Sequence, residues 1–123
     1  MALRWMCSAA LAFASWCAYA AEVTFERLTN AGSEPQNWLT NHGAYNGQHH
    51  SSLATIDRIN VARLKLAYAV ALGGTSTNEN LQATPLVDDG FMYVADQWGV
   101  VYRIDVRSGE RGRIVWRMDP GQE

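Results

Sequence analysis

The chain has 123 residues, 48% of them apolar and 18% charged, and a formal net charge of −2. That is the length of one small domain with a globular composition, and the mild acidity excludes a basic footprint for nucleic acid or anionic lipid. Both cysteines, Cys7 and Cys17, fall within the first seventeen residues, which argues against a disulfide framework or a cysteine-based zinc site.

Arg4 precedes an apolar run from Trp5 to Cys17, and Ala18-Tyr19-Ala20 follows it as a small-x-small cleavage site. One positive charge, a short apolar stretch and an Ala-x-Ala end predict a secretory signal peptide over residues 1–20. The run is too short for a stable membrane anchor. Bulky Trp16 before Cys17 disfavours a lipoprotein. Cleavage after Ala20 would remove both cysteines, and export would put the chain in an oxidising compartment.

Residues 21–64 read as polar and irregular, punctuated by Glu34-Pro35 and by Gly43 to Gly47. A short helical turn is expected from Asn60, with Asn as cap before Val61-Ala62-Arg63-Leu64. Residues 65–72 alternate. Leu66, Tyr68, Val70 and Leu72 share one face, while Lys65, Ala67, Ala69 and Ala71 share the other. Bulky against small with period two predicts a strand packed closely on one side.

Four more strands are expected. The first covers residues 81–87 and turns at Asp88-Asp89-Gly90. The second covers 91–95 and turns at residues 96–99. The third covers 100–106 and presents Val100, Tyr102, Ile104 and Val106 on one face. After the glycine-rich turn of residues 107–112 comes the fourth, 114–118, with Ile114 and Trp116 facing together. Short strands and tight Asp/Gly turns predict a four-stranded antiparallel meander. One such sheet leaves two faces and two edges to water, and this one carries Val, Ile, Tyr and Trp on both faces. The expectation is an all-β piece of a longer protein made of repeated sheets, and the natural architecture is a β-propeller. The competing picture is a short protein that oligomerises through its sheet.

Several residues invite sharper readings. His42, His49 and His50 occupy a loop with no acidic residue between them, and adjacent histidines on an extended chain point apart, so solvated or hydrogen-bonded imidazoles are expected rather than a metal site. Asp88, Asp89 and Asp96 have the spacing of turn residues and match no EF-hand loop. Trp38, Trp98 and Trp116 are candidates to stack on a planar ligand, although the strand periodicity of Trp116 suits packing between sheets better. No nucleophile triad, phosphate-cradling glycine loop or pair of catalytic carboxylates is defined.

Asn37-Trp38-Leu39-Thr40 with Gly43, Tyr45 and Gln48, then Ile59-Asn60-Val61 with Leu64-Lys65-Leu66, resembles the start of the quinoprotein alcohol dehydrogenases, which use pyrroloquinoline quinone (PQQ). Ala83-Thr84-Pro85-Leu86-Val87, Asp89-Gly90 and Met92-Tyr93-Val94 continue the likeness, and residues 102–110 resemble the family's blade-closing turn. The pieces keep the family's order over nearly all of residues 35–118. There are departures. His49-His50-Ser51-Ser52-Leu53 stands where the family often has Arg-Tyr-Ser-Pro-Leu. Arg103 stands in the place of an Ala, and three extra residues separate Gly109 from Trp116.

The resemblance implies the N-terminal portion of an eight-bladed β-propeller. Residues 65–72 would be the ring-closing strand and 81–118 the first four-stranded blade. It implies oxidation of a small alcohol by hydride transfer to PQQ, with an Asp as base, a calcium or lanthanide ion polarising the quinone, and electrons leaving to a cytochrome c. The base, the metal ligands and the family's adjacent cysteine pair would all lie downstream of residue 123, so no catalytic or metal residue is assigned here. One cofactor contact is: Gln82, where the alcohol dehydrogenases often have Glu. An amide keeps donor and acceptor but loses the charge. The alternative for Gln82 is that it only lines a polar channel. The alternative for the whole is a non-catalytic PQQ-like propeller, a scaffold or binding protein of the cell envelope.

Overall fold

The computed structural model describes residues 22–73 and 81–121. Residues 1–20, read above as a signal peptide, lie outside them. No helix among the described residues is long and apolar enough to cross a membrane.

The N-terminal stretch opens with a short helix, α1 (Phe25–Thr29). The Thr24 hydroxyl oxygen accepts the Arg27 N–H at 3.3 Å, which satisfies one of the orphan donors of the first turn. The sequence reading missed this helix because five residues with no buried side chain display no apolar periodicity. A 3₁₀ turn at Ala31–Ser33 follows. The turn expected after Asn60 is a 3₁₀ helix at Val61–Arg63, but Asn60 does not cap it. Asn60 Nδ2 instead donates to the Thr55 carbonyl, and Asp57 Oδ1 accepts the N–H groups of Ile59 and Asn60. Asp57 is the local organiser, through an Asx turn.

The sheet has four strands: β1 (Leu86–Asp88), β2 (Phe91–Ala95), β3 (Val101–Asp105) and β4 (Arg113–Met118). They pair antiparallel in the order β1-β2-β3-β4, the expected meander. The β1–β2 connection places Asp89 at φ 48 and Gly90 at φ 74, the two positive angles that let a two-residue hairpin loop follow the strand twist. A methyl group on Gly90 would run into the Arg107 side chain. Buried Val94, Val100, Tyr102 and Ile104 lie on one face, where Val70, Leu72, Met92 and Val106 are also partly covered.

Three sequence expectations change. Residues 65–72 form no ladder with other described residues. Their alternation survives as burial only from Tyr68 onward: Tyr68, Val70 and Leu72 are half-buried and the intervening alanines exposed, while Leu66, expected on the same face, is 85% exposed. Period two reports which side is covered, not whether the backbone is paired. Val70 comes so close over Gly112 that a Cβ there has no room between Val70 and Ile104. The first strand is shorter than 81–87, because Pro85 has no N–H to give to a ladder. Ile114 and Trp116 do not face together. The register slips between Arg103 and Ile104, pairing Ile114 with Ile104 and Trp116 with Arg103. Val115 is the extra residue of a bulge, which turns Trp116 to the opposite face.

The outer edge of β1 is covered from the N-terminal side. Trp38 and Val87 exchange both backbone hydrogen bonds, at 2.8 and 2.9 Å. The Arg27 guanidinium bridges Glu34 at 2.6 Å and Asp88 at 2.7 Å. Asn37 donates to Glu34 at 2.7 Å and accepts the Asp89 N–H at 3.0 Å.

Two outcomes follow from this packing. Hydrogen bonds from Arg27 and then Asn37 hold the Glu34 carboxyl down to about 2 from an ordinary 4.5. A depressed carboxylate contributes stability that is complete above its unfolded value and is lost as pH falls through the folded one. Acid titration followed by hydrogen exchange at residues 24–38 should therefore show this strap loosening between pH 4.5 and about 2, with Glu34→Gln shifting the loosened state to neutral pH. Gly90→Ala forces a left-handed alanine and should lower unfolding free energy by about 1–2 kcal/mol in denaturant titration.

Candidate functional site

Gln82 precedes β1, and its side chain is exposed. It opens onto a recess lined by Ala83, Ala95, Asp96 and Gln97, so the start of the first strand segment meets the end of β2. Gln82 makes no hydrogen bond to another described residue. The small side chains of Ala83 and Ala95 leave the space, and the Asp96 turn shapes its rim. Asp96 Oδ1 accepts the N–H groups of Trp98 and Val100, each at 2.9 Å, and Oδ2 accepts the Tyr102 hydroxyl at 3.3 Å. The Asp96 N–H donates to the Val100 carbonyl, and Gly99 turns the chain at φ 77. The carboxylate is thus committed to the turn, as expected for Asp96, and Tyr102 ties that turn to the core.

Chemically the recess offers amides. Gln82 and Gln97 present donors and acceptors without formal charge, which suits a ligand bearing carbonyl and carboxylate oxygens. It offers no nucleophile and no uncommitted acid or base. No group of three or more His, Cys, Asp or Glu among the described residues is arranged to hold a metal ion. Gln97 was missed in the sequence because an Asp-x-x-Gly turn signals only a turn. Its proximity to Gln82 depends on the pairing of β1 with β2.

The other candidates lie elsewhere. Trp38 packs on Gly43 and lines a separate cavity with His42, Asn46, Gln48 and His50. Trp98 is half-exposed beside the Asp96 turn. Trp116 belongs to the sheet face away from the core. His42 and His49 are hydrogen-bonded ring to ring, with centroids 4.4 Å apart and planes at 85°. They are the hydrogen-bonded loop imidazoles expected, and His50 lines the Trp38 cavity instead. Asp88 is buried against Arg27 and Asp89 forms the hairpin turn.

Removing the Asp96 carboxylate should collapse the rim. Asp96→Ala strands two backbone donors and should cost about 1–3 kcal/mol in denaturant unfolding. Asp96→Asn keeps an Oδ1 acceptor and should recover most of that loss.

The model of the family described as "PQQ: Glucose/ethanol/alcohol dehydrogenase, beta-propeller domain" matches residues 38–123. An alcohol dehydrogenase (quinone), dehydrogenase subunit, of Gluconacetobacter polyoxogenes is 37% identical over 79% of this chain and 12% of its own length. The 1-butanol dehydrogenase (cytochrome c) of Thauera butanivorans is 39% identical over 73% of this chain and 12% of its own length. The solved quinohemoprotein alcohol dehydrogenase ADHIIG of Pseudomonas putida HK5 superposes with a TM-score of 0.68 at 36% identity, over 82% of this chain and 14% of that one. The chain therefore spans about an eighth of the length of the curated relatives it matches. It belongs to the PQQ family of glucose/ethanol/alcohol dehydrogenase β-propeller domains.

Proposed function

We propose that this chain supplies the exported N-terminal part of a periplasmic PQQ-dependent dehydrogenase. That enzyme oxidises a small alcohol to its aldehyde and passes the electrons to a cytochrome c. The observation that carries the reading is the match of residues 38–123, which include all four strands, to the family model. Residues 1–20 serve as the cleaved export signal. Residues 65–72 close the ring by pairing into the last of eight blades, and residues 81–118 form the first.

When bound, PQQ would supply the hydride acceptor for the alcohol carbon. This chain's own contribution is to bind and orient. The Gln82 amide, without a protein partner among the described residues, donates to or accepts from the cofactor. It places no negative charge beside an anionic ligand. Gln97 lines the same recess. The calcium or lanthanide ion, the catalytic base and the alcohol pocket belong to residues outside this chain, so the chain by itself is inactive.

The assay is direct. Full-length protein reconstituted with PQQ and calcium should reduce cytochrome c in an alcohol-dependent way; absence of any alcohol-dependent turnover would support a non-catalytic propeller. Gln82→Ala should weaken PQQ binding by about 0.5–1.5 kcal/mol, roughly 2- to 12-fold in Kd. Unchanged affinity in a fluorescence titration would leave Gln82 as a channel-lining residue only.

A further inference from the structure

The cavity beside Trp38 shares no lining residue with the Gln82 recess. It lies between the N-terminal strap and the loop of residues 42–52, and its volume is about 240 Å³. At roughly 30 Å³ per water that is room for about eight waters, or for one six-membered ring with its substituents. Drug-sized ligands need larger pockets.

Two walls are set by the chain before any ligand arrives. The Trp38 backbone is pinned to Val87 by two hydrogen bonds. Its indole is backed by Gly43, where a Cβ would strike the ring at 2.7 Å. On the other side His49 adopts φ 50, a left-handed conformation that few non-glycine residues take. Its imidazole bonds to that of His42, while the next residue, His50, lines the cavity. Asn46 holds Gln48 twice, with Nδ2 donating to the Gln48 Oε1 and Oδ1 accepting the Gln48 N–H, each at 3.3 Å.

Three polar groups on these walls are left uncommitted. The Gln48 Nε2, the His50 ring and the Ser52 hydroxyl have no partner among the described residues, and all three side chains line the cavity. No Asp, Glu, Lys or Arg lines it. A phosphate, a carboxylate or a metal ion would leave water there without meeting a side chain of fixed opposite charge. A neutral molecule has no such cost. The indole offers an apolar face, and the amide, imidazole and hydroxyl together offer donors and acceptors to hydroxyl groups around a rim.

We propose that this cavity binds one uncharged, hydroxyl-rich ring, a monosaccharide in its pyranose form. Trp38 lies against the C–H face of the sugar, and Gln48, His50 and Ser52 hydrogen-bond its hydroxyls. His50 and Ser52 stand where the resembling family often has Tyr and Pro, so two of the three polar contacts are particular to this chain. The site is separate from the Gln82 recess and does not depend on the oxidation chemistry.

The probes are the methyl pyranosides of glucose, galactose and mannose, whose rings cannot open. Titrated calorimetrically into the full-length protein, at least one should bind saturably, and phosphate should not displace it. His50→Tyr restores the bulk of the family residue and should weaken that binding about tenfold, the worth of one or two hydrogen bonds. Gln48→Ala, which leaves the cavity open, should weaken it several-fold, and circular dichroism should show both variants folded. No saturable binding of any of the three sugars would overturn the site. Equal affinity in the parent, His50→Tyr and Gln48→Ala would also overturn it, because the sugar would then sit elsewhere, as in the alcohol pocket. Displacement by phosphate would overturn the assignment of an uncharged ligand. None of these readouts uses turnover, so a failure here is distinguishable from a failure of the dehydrogenase reading.

Discussion

The Arg27 guanidinium, held between Glu34 and Asp88, is the contact on which the rest of the chain's arrangement turns. Asp88 is only 7% exposed, and a carboxylate that far from water needs a charged partner. Arg27 is 61 residues away in sequence. By meeting this need it carries the whole N-terminal strap to the end of β1. Neither α1 nor the 3₁₀ turn after it contains a buried residue, so hydrophobic burial contributes little, and polar contacts decide the position. Once the pair is made, Asn37 meets the Asp89 N–H and Trp38 takes up the free backbone edge of β1. An edge that would otherwise invite foreign pairing is thereby closed.

The same contact secures the geometry of the candidate site at the opposite end. Asp88 ends β1 and leads into the Asp89-Gly90 turn that sets the β1–β2 register. That register brings the residues before β1 beside the end of β2, and so Gln82 beside Gln97. The Asp96 carboxylate then fixes the rim, and its bond to Tyr102 links the rim to a side chain that is 2% exposed. The Gln82–Gln97 recess is thus tied to the core through side-chain oxygens, while Ala83 and Ala95 keep the space open by being small.

The sheet has two faces of different chemistry, and the bulge in β4 makes them so. Without Val115 as an extra residue, Trp116 would fall on the side of Ile104 and Tyr102. With it, the indole joins Phe91, Tyr93 and Arg103, and a guanidinium–aromatic surface stands opposite the packed apolar face of Val94, Tyr102 and Ile104. The Asp105 carboxyl, held well below the usual range chiefly by the Arg107 guanidinium, keeps its charge at the rim of that surface at any ordinary pH.

Much of this was legible from residue types. The meander, its Asp/Gly turns and the apolar face of Val100, Tyr102, Ile104 and Val106 follow from period two and from turn chemistry, which are local properties of the backbone. The resemblance to quinoprotein alcohol dehydrogenases was also visible in short motifs kept in order, and it pointed to Gln82. Other features depended on partners remote in the chain. Period two in residues 65–72 marked a covered side, which rests on Gly112 and Ile104 without pairing to another described strand. The bulge that separates Ile114 from Trp116 arises from the ladder between β3 and β4, not from either strand. Arg27 and Asp88, or Gln82 and Gln97, are unremarkable by themselves and acquire meaning only when the tertiary fold brings them within reach. Local sequence determined the strands and turns because backbone sterics and alternation act over a few residues. The tertiary structure decided the strap, the faces and the recess, because ion pairs, register and burial act only between segments that folding has already brought together.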